Sequence, residues 1–136
     1  MLIPQLLEAL PTKAFASSLI DALIHSLESY ISPKANSLTR MFSVRATELI
    51  IHGMKKLTIL GSEYRMDFAG ELLLASTLTG VAFGDAGCGA VHAMSYPLGE
   101  KYHAPHGLSN YCLFLAVLRE YKHAACRAGK YACLGA

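Results

Sequence analysis

Apolar residues recur along this chain at three- and four-residue spacing as far as about Tyr121, and a period-two alternation occurs nowhere, so the pattern predicts helices throughout. Ile3 to Leu10 reads as a short helical segment with Pro4 in its first turn and Pro11 ending it. Thr12 then caps a longer helix to about Ile31, because Pro33 forbids continuation. On a helical wheel Phe15, Leu19, Leu23 and Leu27 fall on one side of that helix, and Ser17, Asp21, His25 and Glu28 fall together on the other. Asn36 caps a third helix through Leu60, with Leu38, Met41, Phe42, Leu49, Ile50 and Leu57 as its apolar positions and Gly61 as its end. Ser62 starts a fourth, with Met66, Leu73, Leu74, Leu78 and Val81 as the expected buried face, running to the glycine-rich turn at Gly84 to Gly89.

The stretch Gly87 to Gly107 is interrupted by Gly89, Pro97, Gly99 and Pro105. It therefore reads as a helix over Ala90 to Tyr96, a break, and a further helix from about His106 to Tyr121, which sets its histidines at helix ends and turns. From Lys122 to Ala136 the periodicity is weak and the tail diverges from the pattern. The fold class expected is all-α, an orthogonal or bundle-like array of about six helices in one domain spanning 1–136. Gly84, Gly87 and Gly89 spell G-x-x-G-x-G, which is not the dinucleotide fingerprint and follows no strand.

Composition sharpens this picture in two ways. Apolar residues make up 53% and charged ones 16%, more apolar than an ordinary soluble domain of this size, so either the core is large for the length or part of the apolar surface is meant for a partner. Lys and Arg number 12 against 10 Asp and Glu, scattered from Lys13 to Lys130 without a cluster, which excludes a nucleic-acid footprint. No run of 18 uninterrupted apolar residues occurs; Tyr111 to Leu118 is too short to span a bilayer, and no basic region precedes the first apolar residues as in a secretory signal. Cys88, Cys112, Cys126 and Cys133 form no C-x-x-C pair and read as free thiols of a reducing cytoplasm.

Asp21 and His25 lie one helical turn apart, about 6 Å of rise on one face, so a carboxylate and an imidazole can converge on one ion. Each feature alone also has a plain structural reading. The stripe is an amphipathic helix's solvated face, His92 a core histidine bonded to a carbonyl, His106 a helix cap and His103 an exposed turn residue. Together, Asp21, His25, His92 and His106 make one carboxylate and three imidazoles, a set suited to Fe(II) or Zn(II). Cys88, four residues before His92, either joins such a site or is a small buried apolar residue. Glu28 either orients His25 or is an exposed carboxylate.

DALIHSLESY at Asp21 to Tyr30 and GVAFGDAGCGAVHAMSYPLGEKYHAPHG at Gly80 to Gly107 resemble the metal-binding helical domain of the iron-containing alcohol dehydrogenases, and within that family the 4-hydroxybutyrate branch most. The resemblance runs from about Ile3 to Tyr121. It implies that Asp21, His25, His92 and His106 are the metal ligands and that the metal polarises an alcohol whose hydride passes to NAD(P). Position 96, often histidine in the wider family, is Tyr96 here, the candidate catalytic residue by the same resemblance. Family members carry a nucleotide-binding α/β domain with a glycine-rich pyrophosphate turn that this stretch lacks. The expectation is therefore a fragment that binds metal, turns over little alcohol with NAD(P) by itself, and pairs as a homodimer or with a chain carrying the nucleotide-binding half. The alternative reading is a non-catalytic metal-binding or interaction domain.

Overall fold

The computed structural model describes residues 1–127. Among these residues there are five α-helices, α1 (Thr12–Ile31), α2 (Ser37–Leu60), α3 (Arg65–Ala86), α4 (Ala90–Tyr102) and α5 (His106–Arg127), with short 3-10 turns at Pro4–Leu7 before the first and Ser62–Tyr64 between the second and third. No strand occurs among the described residues. The punctuation residues act as the sequence suggests. Asn36 accepts from the N–H groups of Leu38 and Thr39 while Thr39 returns a bond to the Asn36 N–H, a reciprocal box that satisfies donors a helix start otherwise leaves open. Gly61 closes α2 at φ 109°, a conformation that favours glycine. Pro11, and not Thr12, precedes the first turn of α1; the Thr12 hydroxyl instead accepts from Arg65.

α1 lies between two packing partners. Phe15, Leu19 and Ala22 bury against α2 and α3, where Leu49, Ile50, Leu72 and Ala75 meet them. Ile24 packs the other way, with Val91 of α4 and Val117 of α5. From Ala22 to Ser29 no residue of α1 is exposed, so His25 and Glu28, the second half of the polar stripe seen in the sequence, face protein and not solvent. Two hydroxyl pairs join α1 to α2: Ser26 with Thr47, half-buried, and Ser29 with Ser43, buried, each at 2.9 Å.

The expected buried face of α3 is corrected, and the apolar positions of α2 are only in part its buried ones. In α3 the buried residues are Ala69, Leu72, Ala75, Thr79, Ala82 and Ala86, whereas Leu74 and Val81 are 41% and 53% exposed. In α2, Leu38 and Met41 are exposed and Thr39, Ser43, Ala46 and Gly53 are buried. The physical reason is close approach. Three long helices in mutual contact leave room only for small side chains at the seam, and a Cβ added at Gly53 would lie 2.6 Å from Leu72 Cδ2. The segment Ser62–Ala86 is long and apolar enough to cross a membrane, with mean hydropathy 1.2. Here its small-residue face is spent on helix packing.

α4 does not stop at Tyr96 but runs on through Pro97 to Tyr102; the expected first helix over Ile3 to Leu10 is only the 3-10 turn Pro4–Leu7, which leaves five α-helices among the described residues. Ala93, whose carbonyl loses its partner to the proline, is exposed, as is Pro97, so water can take the place of the lost bond. His103 then turns the chain at φ 51°. α5 continues past Tyr121 to Arg127, into the stretch expected to diverge; the remainder of that tail, with Cys133, lies outside the described residues.

If the small-residue face of α3 governs its packing, Ala75→Leu should destabilise the chain by about 1–3 kcal/mol through overpacking. Leu74→Ala, one position away, should change stability by no more than about 0.5 kcal/mol. Urea denaturation of the two variants measures both; a larger loss from Leu74→Ala would restore the leucine face.

Candidate metal centre

The site forms where the polar stripe of α1 meets the first turns of α4 and α5. Its anchor is Glu28, 2% exposed, whose carboxylate accepts four hydrogen bonds. Oε2 takes the Gly89 N–H at 2.9 Å and His92 Nδ1 at 2.7 Å. Oε1 takes the Val91 N–H at 2.8 Å and the Tyr121 hydroxyl at 3.1 Å. Tyr121 in turn accepts from the Ala90 N–H at 2.6 Å. Thus three amides at the start of α4, which have no partner inside the helix, are met by one carboxylate and one phenol. Gly89 permits this approach, since a Cβ there would lie 2.7 Å from Glu28 Oε1 and 2.6 Å from the Tyr121 oxygen.

With Nδ1 committed to Glu28, His92 turns Nε2 toward Asp21 Oδ1 at 3.5 Å. His106 Nε2 lies 3.7 Å from the same oxygen. The donor atoms of Asp21, His92 and His106 are all within 4.8 Å of one another. His106 reaches this point as the first residue of α5; the turn is tight enough that a Cβ at Gly107 would run into the backbone of Ser17. Asn110, fully buried one turn later, donates to Asp21 Oδ1 at 2.6 Å and lies 3.2 Å from His106 Nε2.

His25 stands at the edge of the expected four-donor set, with Nδ1 3.6 Å from Asp21 Oδ2. Its Nδ1 donates to the Asp21 backbone carbonyl at 3.0 Å, and its ring rests 3.9 Å from His92 and 4.4 Å from Phe83 between centroids. It therefore groups with His92 and Cys88, again within 4.8 Å, beside the Asp21 set. A histidine one turn after an aspartate can bond that residue's carbonyl while staying beside its carboxylate, and here it does. Tyr96 is 63% exposed and stacks on His106 with ring centroids 5.7 Å apart. His103 is exposed at its turn, away from the cluster, and Cys88 is exposed rather than buried.

The charges are consistent with a cation-binding locus. Burial works against ionised Asp21, but the hydrogen bond to His92, then His25, Asn110 and His106, outweigh it and hold the carboxyl below its usual pKa. Burial likewise opposes ionised Glu28, and the bonds from His92, Val91 and Gly89 overcome it. Between these two carboxylates His92 is pushed up to about 9 despite its desolvation. Burial lowers His25, with repulsion from His92 adding to the effect.

A metal fits this arrangement on the chemistry of its donors. His92 Nε2 is buried and has no hydrogen-bond partner, and it points at one carboxylate oxygen and one further imidazole, a mixed N/O set of the type that holds divalent transition metals. Asp21 and His106 also line a groove of about 830 Å³ together with Lys13, Ser17, Leu108 and Tyr111, which gives the cluster access to a small molecule.

The motif spacing in the sequence exposes Asp21, His25, His92 and His106, but not Asn110 or Tyr121. The first is an ordinary polar residue in a helix, the second one tyrosine among seven. Their roles come from contacts made 89 and 93 residues away.

Comparison with known proteins places this arrangement in context. The model of the Fe-containing alcohol dehydrogenase family, C-terminal part, matches residues 15–134. The chain is 46% identical over 121 residues to 4-hydroxybutyrate dehydrogenase of Clostridium kluyveri, covering 89% of this chain and 33% of that protein. Among solved structures, 1,3-propanediol oxidoreductase superposes with a TM-score of 0.80 at 37% identity, covering 90% of this chain and 31% of the other. The iron-containing alcohol dehydrogenase of Thermococcus thioreducens gives 0.75 at 26% identity, covering 89% and 30%. The chain thus spans about a third of the length of the relatives it matches.

The four-donor cradle of Glu28 makes a direct stability prediction. Glutamine has the same shape but must turn an NH₂ toward a backbone N–H whichever way it is placed, so Glu28→Gln should cost about 3–5 kcal/mol. Tyr121→Phe removes one donor to Glu28 and the acceptor of the Ala90 N–H, and should cost about 2 kcal/mol. Urea denaturation of the metal-free chain compares them; equal losses would show that the carboxylate is not the anchor.

Proposed function

Because this chain belongs to the Fe-containing alcohol dehydrogenase family, we propose that it is the metal- and substrate-binding part of an NAD(P)-dependent alcohol dehydrogenase acting on 4-hydroxybutyrate or a similar short hydroxy acid. The observation that carries the reading is the buried, unpartnered Nε2 of His92 directed at Asp21 and His106 beside an open groove. Asp21, His92 and His106 would hold the metal, with His25 as the neighbouring fourth donor; Fe(II) is the family's metal and Zn(II) suits the same donors.

When bound, the metal supplies Lewis-acid polarisation of an alcohol or aldehyde oxygen, and NAD(P) supplies the hydride partner. The chain's own residues do the positioning. Glu28 keeps the His92 proton on Nδ1, so that Nε2 faces the cluster as a donor. Asn110 fixes the Asp21 carboxylate. Tyr96, exposed and stacked on the ring of His106, braces that imidazole at the groove. Lys13, lining the groove, carries the charge that complements the carboxylate of a hydroxy acid. The free thiols of Cys88 and Cys112 suit the cytoplasm.

Leu108, Tyr111, Leu115 and Leu118 form an exposed apolar stripe along α5, at helical spacing and continuous with the groove. We propose that another protein surface covers it, most simply a second copy of this chain.

Two measurements test the reading. Calorimetric titration with Fe(II) under anaerobic conditions, or with Zn(II), should give one bound metal; His25→Ala should weaken it far more than His103→Ala, and equal losses would overturn the ligand assignment. Sedimentation of the chain at micromolar concentration should give a species heavier than the 14.7 kDa monomer, and a monomer would remove the self-association proposal.

A further inference from the structure

We propose that Cys88, His25 and His92 form a second donor set, selective for a thiophilic divalent cation, which draws His92, and the neighbouring His25, away from the Asp21 set and so cannot be filled at the same time. This inference stands on its own donors and does not need the dehydrogenase reading to hold. Three observations carry it. The sulfur of Cys88 and a ring nitrogen of each histidine lie within 4.8 Å of one another. Ligands on a tetrahedral zinc, with bonds of about 2.0–2.3 Å, are roughly 3.3–3.7 Å apart, so side-chain torsion of the exposed cysteine closes the gap. His25, with Nδ1 held by the Asp21 carbonyl, keeps Nε2 uncommitted, and His92 brings a buried Nε2 without a partner.

The backbone makes this more than a nearby cysteine. Cys88 stands between Gly87, at φ 75°, and Gly89, whose N–H is tied to Glu28. Its Cα is thereby fixed four residues ahead of His92, at the entry to the helix that carries that ligand. The two sets differ in softness. One carboxylate with two imidazoles favours a harder ion such as Fe(II), whereas one thiolate with two imidazoles favours Zn(II) or Cd(II). On coordination the thiol gives its proton to solvent and the thiolate binds the ion. A thiophilic ion in the second set takes His92 from the first and excludes the metal there.

Cd(II) is the probe, added to the chain after treatment with chelator and thiol reductant. One equivalent should produce a near-ultraviolet thiolate-to-metal charge-transfer band. Cys88→Ser, a near-isosteric change at an exposed position, should abolish the band, while Cys112→Ser should leave it intact. His25→Ala should lose it and His106→Ala should keep it. No band in the unaltered chain, a band that survives Cys88→Ser, or one that depends on His106 as much as on His25 would each overturn the proposal. Prior Cd(II) should also block Fe(II) uptake in the unaltered chain but not in Cys88→Ser; equal blocking in both would overturn the claim of mutual exclusion.

Discussion

A carboxylate with four donors around it is the constraint on which the rest of this structure turns. Glu28 sits on α1, yet all four hydrogen bonds come from the far end of the chain: two from the first turn of α4, one from the His92 ring and one from Tyr121 of α5. Only a group that accepts at both oxygens and donates at neither can satisfy that arrangement. The same contact caps a helix, selects the nitrogen His92 presents, and locks α4 and α5 onto α1. Burial of a charge is expensive in general, and here the full complement of charge-assisted bonds offsets it.

Elements whose limits depend on local chemistry were readable from the sequence. Pro11, Pro33, Asn36 and Gly61 bound α1 and α2 almost to the residue, because caps and breakers act over three or four positions. Faces were harder. Periodicity nominated the leucines of α3, and packing chose its alanines, since the distance between helix axes is set by three chains at once. The break expected at Pro97 failed for a similar reason: the tertiary hold on α4 outweighs one missing donor.

At the site, the Asp21 stripe and the turn histidines were legible because their spacing follows from the helix itself, and the family resemblance agrees with the comparisons. The partner of Glu28 was not. Helical geometry suggested His25, one turn away on the same face, but the carboxylate reaches instead to His92, 64 residues on. His25 spends its own bond on the carbonyl of Asp21. Proximity along a helix tells which groups are able to meet, and the tertiary fold decides which ones do.

The long separations around Glu28 also set an order of events in time. The hydroxyl pairs and apolar contacts of α1 with α2 close over a few tens of residues, so that hairpin can form early. The cradle is complete only when Tyr121 arrives, 93 residues after Glu28. At a synthesis rate of about 5–20 residues per second, α1 waits roughly 5–20 s with its acidic face still wet. During that interval the two charged groups that organise the finished site, Asp21 and Glu28, lie on the side of α1 that will later be covered.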